Sequence, residues 1–400
     1  MFDKSFADIN AADIFALITA GVPEGRRLDY KEQFIIQNDS DKKEFLSDIS
    51  AFANTDGGHL IFGIKEHRDS GDKPTGLPAS AEGLAGFNAD NEMLRLDSII
   101  QQGLAPRLNG ILMKKIDGFP LGPIFVVRVP QSWNSPHMLT FQSRPLFHGR
   151  GNAGKFPFDI GQIRSAFSFA ESLSEKVRSF HSDRISKVLG GDTPVPMEVR
   201  RKIILHVVPL SAFRREMMLD VETIKAHQTH TAPLSSSGYN RKVNLEGVVF
   251  FFERAPGVSS SYAQVYRSGL LEAVDSPMLG SDPSRMQIPT TLFEQRLIEG
   301  INRYFQFLMT VGVSGPVVIF MTLTGVRGVE LAMSQDFIDF AGGPSKQFDR
   351  DVVSLPEILV EDISSSADIV IKPAVDALYN AAGWDKCFNY DAGGRWYVRR

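Results

Sequence analysis

Three acidic residues stand among basic ones near the start of the chain. Glu24 and Asp29 flank Arg26-Arg27, Lys31 follows two positions after Asp29, and Glu66 comes directly after Lys65. Grouped carboxylates bind hard divalent ions such as magnesium or manganese, which stabilise the charge that develops in phosphoryl transfer. Interleaved cations suit an anionic backbone. The same residue types also describe an ordinary solvated surface, so on their own they leave both readings open.

Other motifs lead less far. Gly149-Arg150-Gly151-Asn152-Ala153-Gly154-Lys155 has the spacing of a phosphate loop, but Phe156 stands where Ser or Thr should hold magnesium. Pro157 then interrupts the helix that should begin there, so the segment reads as a flexible basic loop. His227 and His230 lack further metal ligands beside them and read as a solvated loop. Ser259-Ser260-Ser261 has no strained nucleophile frame, and Phe250-Phe251-Phe252 reads as core rather than a base-stacking platform.

The elements that must position the acids follow from periodicity. Asn10 caps a helix over 10–20, with Asp13 completing the capping box and Ile14, Leu17 and Ile18 as its apolar stripe. Residues 28–36 read as a strand with Leu28, Tyr30, Phe34 and Ile36 on one face, which places Asp29 and Lys31 together on the other. Residues 41–55 form the clearest helix, apolar through Phe45, Leu46, Ile49, Phe52 and Ala53, with Lys42, Lys43 and Asp48 opposite. Gly57-Gly58 end it and feed a strand over 59–65 that is apolar on both faces and therefore central. A helix over 91–102 follows, then strands over 111–116 and 124–130 joined by a turn at Asp117-Gly118, a short strand over 144–149, and one or two helices over 159–184. Strands and helices mixed without a regular repeat predict an α+β fold with a mixed sheet.

Residues 189–197, rich in Gly and Pro, read as a linker between a domain over 1–188 and a second over 198–400. The second half carries strands over 203–208 and 247–252, one or two more within 262–274, a helix over 291–309 and a buried strand over 316–323. It reads as a second α/β-type domain of unassigned fold.

Composition sets the outer bounds. At roughly 100–200 residues per domain, 400 residues suggest two or three domains. With 43% apolar and 22% charged residues, 34 Gly and 22 Pro, the profile is globular, neither disordered nor fibrous. A net charge of −4, with no basic arm in either half, means that nucleic acid would be held by a local patch. The single Cys387 excludes an internal disulfide framework and multi-cysteine zinc modules. No secretory signal or membrane-length apolar run is present, so a cytoplasmic location without membrane partners is expected.

Within this frame, Glu24-Gly25-Arg26-Arg27-Leu28-Asp29-Tyr30-Lys31 resembles the E-S-x-x-x-E-F-K segment of the Schlafen AlbA-type domain. Residues 43–64, centred on Ala51-Phe52-Ala53-Asn54-Thr55-Asp56-Gly57-Gly58, resemble that family's A-F-A-N-T-x-G-G signature between a helix and a strand. Residues 144–167, with Phe147-His148-Gly149-Arg150, resemble its closing strand, arginine loop and helix. The likeness covers about residues 10–180.

The resemblance implies nucleic-acid handling, with RNA preferred and tRNA included. In the Schlafen-type ribonucleases three acids support metal-dependent RNA cleavage, and by position these map to Glu24, Asp29 and Glu66, with magnesium or manganese as cofactor. Arg26, Arg27, Lys31, Arg150 and Lys155 are the implied phosphate contacts. This sequence departs from the pattern: Asp29 stands for a Glu, Glu66 for an Asp, and Gly25 for a Ser. The two acid changes alter carboxylate reach by about 1.5 Å each, in opposite directions. Asn54, Gly57 and Gly58 suit a helix-to-strand corner, structural or facing a phosphate.

Three functions stay open: an endoribonuclease, which in bacterial relatives includes antiphage defence; a non-enzymatic DNA- or RNA-binding transcriptional regulator; and an ATP-binding protein with a non-Walker site. In the second half, segments 240–247 and 262–269 are similar to tails accompanying such domains. A regulatory, sensing or oligomerisation module is the expectation there, and a homo-oligomer is compatible with it.

Overall fold

The computed structural model describes residues 6–143, 145–213, 218–235, 238–280, 282, 284–313, 316–332 and 346–397. The fold is mixed α+β and divides into two units, Met1–Ser174 and Glu175–Arg400.

The first unit opens with α1 (Ala11–Thr19), capped by Asn10 and Asp13 as expected, followed by β1 (Leu28–Lys31) and α2 (Asp39–Ala53). Next come β2 (Gly58–Phe62), β3 (Ile64–Arg68), β4 (Pro74–Ala81), α3 (Ala89–Gly103) and β5 (Leu104–Ala105). It closes with β6 (Leu112–Ile116), β7 (Ile124–Val129), β8 (Met138–Leu139), β9 (Leu146–Gly151), β10 (Gly154–Pro157) and the long helix α4 (Ile160–Leu189), which continues into the second unit. Arg144, the first residue of the strand expected over 144–149, lies outside the described residues.

The central sheet has the order β1-β2-β7-β6, parallel between β1 and β2 and antiparallel elsewhere, a mixed sheet. Its strands are apolar on both sides because both faces are covered. Leu60, Phe62, Phe125 and Val127 pack with Phe45, Ile49 and Phe52 of α2, while Ile61, Ile124 and Val126 pack with Ile14 and Leu17 of α1. Alternation along each strand thus feeds two separate cores.

Several expectations need correction. The strand expected over 28–36 stops at Lys31, and the one expected over 59–65 breaks at Gly63, whose φ of 97° turns the chain from the sheet into the β3–β4 hairpin. The glycine loop over 149–155 is not a flexible loop. Most of it belongs to β9 and β10, which pair antiparallel around a turn at Asn152-Ala153, with Gly154 at φ 102°. Asp48 does not face solvent and is 2% exposed.

The second unit contains β11 (Lys202–Pro209), the short helix α5 (Val221–Ala226), β12 (Asn240–Val243), β13 (Gly247–Ala255), β14 (Val258–Tyr266) and β15 (Leu271–Asp275). These are followed by β16 (Gln287–Pro289), α6 (Thr290–Thr310), β17 (Val317–Thr324), β18 (Glu330–Ala332), β19 (Val352–Ser354), β20 (Ile358–Val360) and α7 (Ala367–Ala381). Eight strands form a large antiparallel sheet, β12-β13-β14-β15-β11-β17-β19, with β20 also on β17. Every residue of β17 is buried, as the run over 316–323 predicts. Phe250 lies in the core, whereas Phe252 is partly exposed. The stretch read as a linker is packed into this unit: Val195 is buried with Ile204 and Tyr262, and the Pro196 carbonyl accepts the Ser259 amide.

Two buried carboxylates organise the second unit. Glu272 accepts from both arms of Arg184 at 2.7 Å, from Tyr262 Oη at 2.8 Å, and pairs with His206 Nε2 at 2.9 Å. Burial works against its charge, but the bonds from Arg184 and His206 outweigh it and bring its pKa down to about 2. Glu294 of α6 accepts from Tyr379 Oη at 2.6 Å, Trp396 Nε1 at 2.7 Å and Asn389 Nδ2 at 2.8 Å, tying the C-terminal segment to the core.

Candidate nucleic-acid interface

The acids expected to act together are neighbours held by different partners: Asp29 by cations, Glu24 and Glu66 along an open cleft. Alternation along β1 does put Asp29 and Lys31 side by side, with Lys31 Nζ 2.9 Å from Asp29 Oδ2. Arg150 of β9 reaches the same carboxylate, with Nη2 2.5 Å from Oδ1. Arg150 also donates to the carbonyls of Gly25 (2.8 Å) and Leu28 (3.3 Å), and its guanidinium lies 4.6 Å from the centre of the Phe52 ring. Asp29 and Arg150 are 5% and 3% exposed. Burial pushes the Asp29 carboxyl up, but Lys31 and Arg150 more than offset this and hold it below its ordinary range.

Asp48 of α2 joins this cluster, a role the sequence reading missed. Lys155 Nζ stands 3.0 Å from its Oδ1 and also bonds Glu44 at 2.5 Å and Ser47 Oγ at 2.8 Å. Burial, helped by Asp29 and opposed by Lys155, raises the Asp48 pKa. Arg150 and Lys155 were expected to touch phosphates. The structure places both on internal partners instead, where they join β9 and β10 to β1 and α2.

Glu24 and Glu66 line a cleft beside that cluster, with Lys31 bordering both, and share Gly76 of β4. The Glu24 amide donates to the Gly76 carbonyl at 2.8 Å, and the Gly76 amide donates to Glu66 Oε2 at 2.9 Å. Glu24 Oε1 accepts the Tyr30 amide at 2.6 Å. Both acids line an open cleft of about 330 Å³ with Lys31, Glu32, Arg68 and Gly76. Burial first, then the neighbouring Asp29 and Glu66 charges, push the Glu24 carboxyl up to about 7, against the Tyr30 hydrogen bond. A carboxyl in that range can both give and take a proton near neutral pH.

This arrangement does not fit a divalent ion held by Glu24, Asp29 and Glu66. Both Asp29 oxygens face cations, and among the described residues no three His, Cys, Asp or Glu side chains are gathered so as to hold a metal ion.

The remaining predicted contacts differ in availability. Arg27 is exposed, and no hydrogen bond or ion pair engages its guanidinium among the described residues. Arg26 is half exposed and pairs with Asp56 at 2.8 Å. Lys31 reaches the cleft while held by Asp29. Arg68, which sequence reasoning missed, lines the cleft with its Nη1 3.1 Å from the Asp72 carbonyl.

The helix-to-strand corner is internally satisfied. Asn54 Nδ2 donates to the carbonyls of His137 (3.0 Å) and His148 (2.9 Å), and its Oδ1 accepts the His137 amide at 2.6 Å. The Gly57 amide is used by the Phe52 carbonyl, and at its φ of 66° a Cβ would stand 2.6 Å from the Gln131 nitrogen. A Cβ on Gly58 would meet the Phe52 ring at 2.4 Å. These glycines permit close backbone packing, and the corner is turned toward protein.

Among curated proteins no sequence matches the chain. Solved structures similar over parts of it include the following two. The N-terminal domain of a RecG-related protein from Nitrosomonas europaea is 23% identical over 36% of this chain and 88% of that one, at a TM-score of 0.27. The DIP2311 protein from Corynebacterium diphtheriae is 17% identical over 40% of this chain, at a TM-score of 0.25, and the match spans only 27% of that protein. Among the described residues no helix is long and apolar enough to cross a membrane. The family model for Schlafen, AlbA_2 matches residues 24–156, from the first acid of the cleft to the end of the β9–β10 hairpin. Residues 24–156 are therefore a Schlafen AlbA_2 domain.

Proposed function

We propose that this chain is a nucleic-acid-binding protein whose Schlafen AlbA_2 domain takes a single RNA strand along the cleft between Glu24 and Glu66. The observation that carries this reading is the Schlafen AlbA_2 match over residues 24–156 together with an open cleft in which Lys31 and Arg68 stand beside Glu24 and Glu66. Arg27 and Arg26 supply further positive charge for the phosphates, while Arg150 and Lys155 hold the strands that shape the site.

RNA cleavage is the finer reading, and Glu24 supports it. A carboxyl with a pKa near 7 can, when ionised, take the proton of a ribose 2′-hydroxyl as that oxygen bonds to the adjacent phosphorus; the phosphorus–5′-oxygen bond breaks, leaving a 2′,3′-cyclic phosphate, and the 5′-oxygen departs as a hydroxyl with a proton from solvent water. Lys31 and Arg68 would offset charge on the phosphate oxygens. No metal enters this scheme, because the Asp29 carboxylate is held by cations. Non-catalytic binding is the second reading. It is favoured by the Glu66 carboxylate, whose Oε2 is tied to the Gly76 amide.

The test is incubation of the full chain with end-labelled single-stranded RNA and DNA, in EDTA or in manganese. Binding in EDTA supports the nucleic-acid reading, and RNA cleavage in EDTA that Glu24→Gln abolishes supports the catalytic one. Cleavage strictly dependent on manganese would contradict the metal-free scheme.

A further inference from the structure

Next to the carboxylate cleft lies a larger cavity of about 650 Å³, and Glu32 lines both. We infer that this cavity receives an unpaired base of the strand whose backbone lies in the cleft, so that the domain selects single-stranded over duplex nucleic acid. The inference rests on the nucleic-acid reading above and deepens it.

The cavity is built before any ligand arrives. Arg95 of α3 donates to the Ile36 carbonyl at 2.8 Å and is gripped by Glu92, which fixes the segment after β1 against α3. The opposite wall is held by backbone bonds: the Glu82 and Gly83 amides donate to Gly63, the Leu84 amide to Pro123, and the Leu121 amide to Glu82. Gly63 and Gly83 pack so closely that a Cβ on Gly63 would lie 2.9 Å from the Gly83 Cα.

Its lining matches a base better than a phosphate. Phe34 and Phe87 meet edge to face with ring centres 4.8 Å apart, giving aromatic surface. Gln33, Gln37 and Asn88 contribute amide groups, which can both donate to and accept from a base edge. Two cations, Lys65 and Arg95, are outnumbered by Glu32, Glu82 and Glu92, so an anionic group gains nothing by entering. The uncharged base enters, and its phosphates stay beside Lys31 and Arg68. The volume lies within the range of small-molecule sites and admits a nucleobase with part of its sugar. A base inside a duplex cannot reach such a cavity without leaving its stack.

The test uses the full chain in EDTA with an RNA oligonucleotide carrying 2-aminopurine, single-stranded or annealed to its complement. The expected result is a change in 2-aminopurine fluorescence on binding and at least tenfold tighter binding of the single strand. Phe87→Ala should weaken single-strand binding about tenfold, in line with the loss of one stacked base, and leave duplex binding unchanged. Phe87 also packs on Phe125, so Ile35→Asp is the second variant. Ile35 is 55% exposed and lines the cavity, and an acid there should have the same selective effect without disturbing the core. Equal binding of single strand and duplex, with both variants unaffected, would overturn the cavity assignment and leave the cleft reading standing. Binding of no oligonucleotide at all would overturn both.

Discussion

Arg150 Nη2 lies 2.5 Å from Asp29 Oδ1, joining β9 to β1 across 121 residues of sequence. Buried pairs of this kind are costly to break, because removing one partner leaves the other uncompensated. The pair makes the arginine loop a structural clamp and gives the acidic residue at position 29 a partner other than a metal.

Arg150→Met should therefore destabilise the first unit by about 3–5 kcal/mol, since Asp29 loses its closest cation and the Gly25 carbonyl loses a donor. Urea unfolding followed by circular dichroism reads the shift in midpoint. A midpoint within error of wild type would contradict the clamp.

Asn54→Ala removes three hydrogen bonds that fasten α2 to the strands around His137 and His148. Buried groups left unpaired cost about 1–3 kcal/mol each, so a loss at the upper end of single-residue effects is expected. Thermal melting measures it. Asn54→Asp should be nearly as damaging, because the carboxylate keeps the acceptor but repels the two carbonyls.

The raised Glu24 pKa fixes the sign of a pH effect. The folded state holds the proton to about pH 7, whereas the unfolded state releases it near the ordinary glutamate value of 4.5. This contribution to stability is complete below pH 4.5 and is lost as pH rises through 7. Glu24→Gln should flatten that part of the profile, so wild type should lose more stability between pH 4.5 and 7.5 than the variant. Parallel profiles would show that Glu24 titrates normally.

Cys387 provides a reporter for the second unit. Its thiol is buried, with Sγ 3.4 Å from Glu294 Oε1, and burial together with that carboxylate pushes its pKa up to about 12. Disulfide-exchange labelling at pH 8 should be slow in the native protein. Glu294→Ala strips Tyr379, Asn389 and Trp396 of their shared acceptor and should speed labelling at least tenfold. An unchanged rate would show that Glu294 does not hold the C-terminal segment.

Local pattern carried much of this structure. The capping residues of α1, the stripe of α2, the buried run of β17 and the shared face of Asp29 and Lys31 all follow from periodicity. β4 was not legible, because Pro74-Thr75-Gly76-Leu77-Pro78 has the composition of a loop, yet it supplies the Gly76 that links Glu24 to Glu66. α7 was hidden similarly, with Pro373 inside it. Asp48 has the helical phase of a solvent-facing residue, and only the fold brings Lys155 to it. The small polar residues Ser47 and Ser50 beside it, within an apolar run, were the available signal. Arg150 and Lys155 look like free cations in sequence because their carboxylate partners are distant along the chain. Glu66 reads in sequence as the end of the central strand, but Gly63 puts it on the β3–β4 hairpin, from which it lines one cleft with Glu24.

The most direct test of the central claim is the salt dependence of affinity for single-stranded RNA, measured by fluorescence anisotropy with the full chain in EDTA. The account predicts saturable binding whose logarithm falls linearly with the logarithm of salt concentration, and a shallower slope with weaker binding for Arg27→Glu. No binding at low salt in EDTA, or binding that Arg27→Glu leaves unchanged while Arg150→Met with intact fold abolishes it, would contradict it.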